Sequence, residues 1–366
     1  IRLVVFIFQH ALQSEVNMQH STVSQSFKKT SARTGTKCAR LGLSLCAVGL
    51  SLAAITAHAR SESPSQSAGL VKVTPLGSHA GEFCRFDRAM IFEDPNGTRI
   101  LYDAGRTVAG GKDPRLGKID IVLVSHMHGD HLGDRHIPEP NAGTCDKPDV
   151  SVLAAPQSNS VAIAVEKNAR IVTGSEMPSF FAAKLAQSGA DPAKSVLVRF
   201  GGMLNINGVG ITTVPAAHSN GIAADFVGPR LSELMKESGV TLSAGPATGY
   251  VIQFSNGMLA YLSGDTGITA EQKEVVGEYY KPHLTVINIG DTFTTGPKEA
   301  AYVVNELVEA KSVIPSHANE VSTQGGKPVP GSRVEAFAKL SKAKVHLPLS
   351  DRTMSFDGKG KCVAGC

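Results

Sequence analysis

The chain has 366 residues, 42% of them hydrophobic, which is long enough for one large domain or two small ones. Its formal charge of +4 belongs to the first 59 residues, where Arg2, Lys28, Lys29, Arg33, Lys37 and Arg40 stand against Glu15 alone. The remainder is about one unit negative, so no basic stripe is left to grip a nucleic acid, and that class of partner is excluded.

In chain order, the basic residues precede an apolar run, Leu41 to Thr56, and the Ala-x-Ala motif Ala57-His58-Ala59. This pattern predicts a secretory signal peptide cut after Ala59, and hence a periplasmic or secreted protein. The run is too short to span a membrane, so no stable anchor is expected. Cys46 follows Leu45 where a lipobox carries Gly or Ala, which argues against a lipoprotein. The sequence opens at Ile1, and Met18 is an alternative start. Arg60 to Gly69 is Ser-rich and reads as a flexible mature N-terminus, with a single domain over 70–366. Cys84, Cys145, Cys362 and Cys366 remain after cleavage, an even number in an exported chain; Cys84–Cys145 with Cys362–Cys366 is preferred among three pairings.

Strands are predicted at Leu70–Pro75, Ala89–Glu93 and Arg99–Tyr102, the last two joined by the turn Asp94-Pro-Asn-Gly97. The apolar segment Ile119–Val124 reads as a buried strand. Strands at Val150–Ala154, Val196–Phe200, Met203–Ile206 and Ile211–Val214 alternate with helices at Gln157–Asn168 and Pro178–Ser188. The second half repeats the plan. It has strands at Tyr250–Phe254, Met258–Leu262, Leu284–Ile289, Val313–Pro315 and Lys344–Leu347, and helices at Glu271–Tyr279, Pro297–Ala310 and Arg333–Ser341. Pro297 sits in the first turn of its helix, where its fixed φ and missing N–H cost nothing. Two similar mixed halves fit an αβ/βα sandwich. Lys361 to Cys366 reads as a tail. His136–Asp149 and Asn220–Thr248, the latter with the amphipathic stretch Arg230 to Glu237, read as insertions that wall a pocket, act as a lid or decorate the surface.

The chemistry is concentrated in Ser125-His126-Met127-His128-Gly129-Asp130-His131-Leu132-Gly133-Asp134, directly after the Ile119–Val124 strand. Three imidazoles and a carboxylate within six residues form a metal-ligand set, since His is the commonest protein ligand for borderline metals and a carboxylate its natural companion. Pro215-Ala-Ala-His218, Gly264-Asp265-Thr266 and Pro315-Ser-His317 likewise place a polar residue just after an apolar run. Ligands at strand ends converge on one sheet edge, as a metal site requires.

The His-x-His-x-Asp-His string resembles the signature of the metallo-β-lactamase fold superfamily of hydrolases. The block Val286-Ile-Asn-Ile-Gly-Asp-Thr-Phe-Thr-Thr-Gly-Pro-Lys-Glu-Ala-Ala301 and the Val313–His317 segment are similar to its branch related to L-ascorbate-6-phosphate lactonase, over about Val71 to Leu349. The resemblance implies a four-layer αβ/βα sandwich holding two divalent metal ions. His126, His128 and His218 would hold one, Asp130, His131 and His317 the other, and Asp265 would bridge them. The mixed nitrogen and oxygen set suits Zn²⁺, and ligand type leaves Mn²⁺ and Fe²⁺ open. A water between the ions is the implied nucleophile, with Asp130 or a bound water managing the proton. The substrate would be a small-molecule ester, lactone or phosphodiester. A β-lactamase-like role, or a metal-binding or redox protein on the same scaffold, is the alternative. Oligomeric state stays open.

In the superfamily the Asp of Asp-x-Gly supports the metal loop, which makes Asp103 a candidate, although a turn Asp capping amides would read the same way. Asp134 either orients a ligand His or forms the loop. His79, after the first strand, falls where the superfamily places substrate-facing residues. Two departures bear on the substrate. The segment Ser78 to Phe86 is longer than the branch's Gly-His-Ser turn, and His317-Ala318-Asn319 replaces its usual His-Tyr.

Overall fold

Val71 and Val73 are buried and Lys72 between them is exposed, the period of a strand with one face on a core. That strand belongs to the first of two large sheets in the computed structural model of the chain, which describes residues 69–366. The expected signal peptide, its cleavage site and all but the last residue of the expected flexible N-terminus lie outside the described residues. Numbering only the strands of the two large sheets in chain order, the first sheet contains β1 (Val71–Pro75), β2 (Met90–Glu93), β3 (Arg99–Tyr102), β4 (Ile121–Leu123), β5 (Arg170–Thr173) and β6 (Ser195–Leu197). The second contains β7 (Met203–Ile206), β8 (Val209–Ala216), β9 (Ala247–Gln253), β10 (Leu259–Leu262), β11 (Leu284–Asn288), β12 (Ser312–Ser316) and β13 (Lys344–Val345). The chain then returns to the first sheet with β14 (Met354–Phe356) and β15 (Cys362–Ala364). Spatial orders are β15-β14-β1-β2-β3-β4-β5-β6 and β13-β12-β11-β10-β9-β8-β7.

Helices α1 (Gly129–Leu132), α2 (Asn159–Lys167), α3 (Met177–Gln187) and α4 (Pro229–Ser238) fall in the first two-thirds. Next come α5 (Gln272–Tyr280), α6 (Pro297–Tyr302, continued by Val303–Val308) and α7 (Arg333–Leu340). Three apolar clusters define the layers. Val73, Phe92, Ile211, Tyr250 and Ile252 fill the space between the sheets. Leu101, Val122, Ile163 and Phe181 join the outer face of the first sheet to α2 and α3. Tyr261, Ile287, Val304 and Phe337 join the outer face of the second to α5–α7. The result is the helix–sheet–sheet–helix sandwich expected from the sequence.

Two local expectations are corrected. Val150–Ala154 is not a sheet strand: only Val152–Leu153 pairs, with Arg135–His136, in a ribbon outside both sheets. The place beside β4 is taken by Arg170–Thr173, whose Ile171 and Val172 are fully buried while Leu153 is 66% exposed. Burial of the β-branched run outweighs the longer but solvated one. Lys361–Cys366 is more than a tail, because Cys362–Ala364 closes the edge of the first sheet against β14. β14 in turn pairs with β1, Val71 opposite Phe356, so the C-terminus completes a sheet begun by the N-terminal half. Cys84 and Cys145, and Cys362 and Cys366, are disulfide-bonded.

His346 is buried edge-on to Phe356, and burial, helped by Lys344, pushes its imidazole down to about 4. The unfolded chain takes up a proton near pH 6.5, while the folded chain does not until about pH 4. This group therefore lowers stability as pH falls through that window, by about 1 kcal/mol at pH 5 after a discount for solvent screening. His346→Phe should flatten that part of the acid limb, read as the urea midpoint at pH 7 and pH 5. An unchanged difference between the two midpoints would rule out His346 as its source.

Candidate metal centre

The strand ends dictate where the centre forms. β3 and β4 are parallel neighbours in one sheet, and β10, β11 and β12 are parallel neighbours in the other. The loops after β3, β4, β10 and β12 carry Asp103, His126, Asp265 and His317, and the loop after β8 carries His218.

The two sheets are stitched together beside the centre. Tyr250 Oη donates to the Val124 carbonyl at 2.7 Å, and Gly264 N donates to Tyr102 Oη at 3.0 Å. Gly264 sits at φ +62, and a Cβ there would lie 2.8 Å from the Thr248 carbonyl oxygen, so the Gly-Asp-Thr turn needs its glycine.

Seven side chains meet at this edge. His126, His128 and His218 form one group of donors, Asp130, His131 and His317 a second, and Asp265 joins His126 and His131 between them. Asp265 Oδ2 lies 3.1 Å from His317 Nε2, 3.2 Å from His131 Nε2, 3.8 Å from His218 Nε2 and 3.9 Å from His126 Nε2. His317 Nε2 is 3.3 Å from Asp130 Oδ2, and His218 Nε2 is 3.2 Å from His128 Nδ1. Four donors each ~2.1 Å from one ion stand roughly 3.4 Å apart, so these spacings fit metal ligation. His126 Nε2 and His131 Nε2 are buried without a hydrogen-bond partner among the described residues. Orphaned imidazole nitrogens facing a common point suit a bound cation and are costly otherwise.

Asp103 organises the loop from below. Its carboxylate accepts from Ser125 N at 2.8 Å and Ser125 Oγ at 2.7 Å, and it lies 2.8 Å from His131 Nδ1. This places a proton on Nδ1 and turns the Nε2 lone pair to the other donors. Burial alone would lower His131, but Asp265, Asp103 and Asp130 hold it up to about 10. A metal binding here displaces a proton. Burial would raise Asp265 and Asp130, yet their cationic neighbours keep both well below the usual carboxylate range. Burial keeps His126 well below its ordinary value.

Asp134 takes the second of its two readings. It forms the loop, gripping Arg106 through two bonds of 2.7 and 2.8 Å, and makes no hydrogen bond to a histidine among the described residues. His79 does not line the cavity over the centre. Its ring contacts Ser78 Oγ and the Gly143 carbonyl, because the 78–86 segment folds onto the 139–145 loop. That cavity, about 340 Å³, is lined by Phe86, Arg88, Arg106, Ser219, Phe293 and Asn319 together with the centre's own residues. α4 does not line it; the insertion carrying α4 packs through Phe226 against Phe180 of α3. The His136–Asp149 insertion does not line it either, and is tied to the 78–86 segment by the Cys84–Cys145 disulfide. A larger cleft of about 680 Å³ at α5 and α6 contains none of the seven residues.

The family model for the β-lactamase superfamily domain matches residues 98–318. A UPF0173 metal-dependent hydrolase of Cupriavidus necator is 31% identical over 276 residues, covering 74% of this chain and 82% of the relative. The chain belongs to the UPF0173 metal-dependent hydrolase family. A second member, from Methanopyrus kandleri, is 31% identical over 247 residues, covering 68% of this hydrolase and 84% of its own length. The solved structure of Igni18, a metallo hydrolase from Ignicoccus hospitalis, shares the fold with a TM-score of 0.50 at 22% identity, covering 79% of this chain and 99% of that one.

Sequence reasoning does not single out Arg88, whose only signal is the unusual length of the segment before it. Arg88 is 4% exposed; its Nη2 lies 2.7 Å from Asp130 Oδ2 and 2.7 Å from His317 Nε2, and donates to Asn319 Oδ1 at 3.3 Å.

Proposed function

We propose that this hydrolase is binuclear and cleaves a small-molecule lactone or related ester. The observation that carries the reading is the position of Asp265 between two donor groups, with His126 and His131 nitrogens otherwise orphaned. His126, His128 and His218 would hold one ion, Asp130, His131 and His317 the other, and Asp265 would face both. Bound there, Zn²⁺ or a similar ion supplies a water of lowered pKa and Lewis-acid stabilisation of the developing oxyanion.

The chain's own residues do the rest. Asp103 fixes the tautomer of His131. Asp130 lines the cavity and stays anionic at neutral pH, so it orients the attacking water and accepts its proton only transiently. Phe86 and Phe293 wall the cavity and limit its water. A lactone is favoured over a phosphodiester by the likeness of the 286–301 block to the lactonase branch.

Initial rates on a simple lactone and a simple phosphodiester, with and without chelator, test this. Chelator-sensitive lactone turnover is expected. Turnover of the phosphodiester alone would reject the lactonase reading, and turnover of neither would reject hydrolysis of simple esters.

A further inference from the structure

Arg88 has no role in the proposed hydrolysis, yet it is a buried cation beside the proposed ligands. It is rigidly placed. Nη1 donates to the Phe86 carbonyl at 2.9 Å, and the neighbouring Asp87 accepts from Ser78 N and Cys84 N at 2.8 and 2.7 Å. The Cys84–Cys145 disulfide closes the same segment. Both departures from the branch pattern therefore meet at one point: the long 78–86 segment delivers Arg88, and Asn319 stands beside it. Arg88 and Asn319 also fall outside the matched span of 98–318.

Two observations point to a missing acceptor. Arg88 Nε and Asn319 Nδ2 are both buried without a hydrogen-bond partner among the described residues, and both residues line the cavity. A buried donor left unpaired is costly. Arg88 is balanced here by Asp130, and an ion claiming that carboxylate would leave the guanidinium short of negative charge. A guanidinium suits a carboxylate or phosphate, whose oxygens accept its N–H groups.

We propose that Arg88, aided by Asn319, anchors an oxyanion group of the substrate, so that the molecule cleaved here carries a carboxylate or phosphate beside its scissile bond. This rests on the hydrolase reading and names its substrate class. Phe86 and Phe293 flank the remainder of the molecule.

The test is calorimetric titration of the metal-loaded full chain with inorganic phosphate and with acetate, alongside metal analysis. Arg88→Met should weaken binding about tenfold or more, the worth of one charge-assisted hydrogen bond, with metal content unchanged. Asn319→Asp keeps an acceptor for Arg88 but adds a charge that repels anions. It should weaken binding in the same direction and serves if Arg88→Met does not fold. Tighter phosphate marks a phosphate-bearing substrate, and tighter acetate a carboxylate. Three results overturn the proposal: no binding of either probe to the wild type, equal binding by wild type and variants, or loss of metal from Arg88→Met, which would make the arginine a support of the centre. Because the readout is heat and not turnover, Arg88-dependent binding without lactone hydrolysis would reject the lactonase reading alone. Lactone hydrolysis with Arg88-independent binding would reject the anion anchor alone.

Discussion

Asp265→Ala is expected to lose at least one equivalent of metal and nearly all chelator-sensitive turnover. Asp265 Oδ2 stands within 3.9 Å of four of the five histidines, between the two donor groups. Its removal should cost more metal affinity than the roughly 10–100-fold typical of an outer partner. It also strips the largest support from a protonated His131, so the imidazole falls from about 10 and competes less with the ion through its proton. The first effect should dominate, because a lost ligand outweighs an easier deprotonation. Metal content after dialysis decides the matter: two full equivalents in Asp265→Ala would refute the shared-ligand assignment.

Opening the Cys84–Cys145 disulfide, by Cys84→Ala with Cys145→Ala, is expected to destabilise the fold by about 4 kcal/mol. The bridge closes a sequence separation of 61 residues, and the unfolded chain regains that loop entropy when it is cut. The closed span includes Arg88 and the metal-binding string, so the loss should appear in the cavity as well as in the melt. Denaturant midpoints of the bridged protein and the double variant measure it. A difference below about 1 kcal/mol would refute the loop-entropy account of this bridge.

The metal-binding string is legible because its evidence is local: several ligand types crowd at the end of one apolar strand, with no packing reason to be there. Asp103 is legible as a candidate, but its sequence context leaves open whether it caps a turn or supports a ligand. In the structure it does both, bonding Ser125 N and His131. Arg170–Thr173 escapes a sequence reading because four residues between two helices carry little periodic signal, and their burial depends on neighbours β4 and β6. His79 and Asp134 are ambiguous for a similar reason. Each lies near the right strand, but where it points is set by loops that fold on distant segments.

By itself the sequence determined the candidate donors, the sandwich class and the hydrolase superfamily, since strand-end position and ligand chemistry are properties of short segments. Only the tertiary structure decided which donors surround Asp265, how the C-terminal strands complete the first sheet, and what stands over the centre. Arg88 and Asn319 are separated by 231 residues and meet 3.3 Å apart. No periodicity or motif encodes such a contact; it exists because two sheets pack face to face and bring the segment before β2 to the loop after β12.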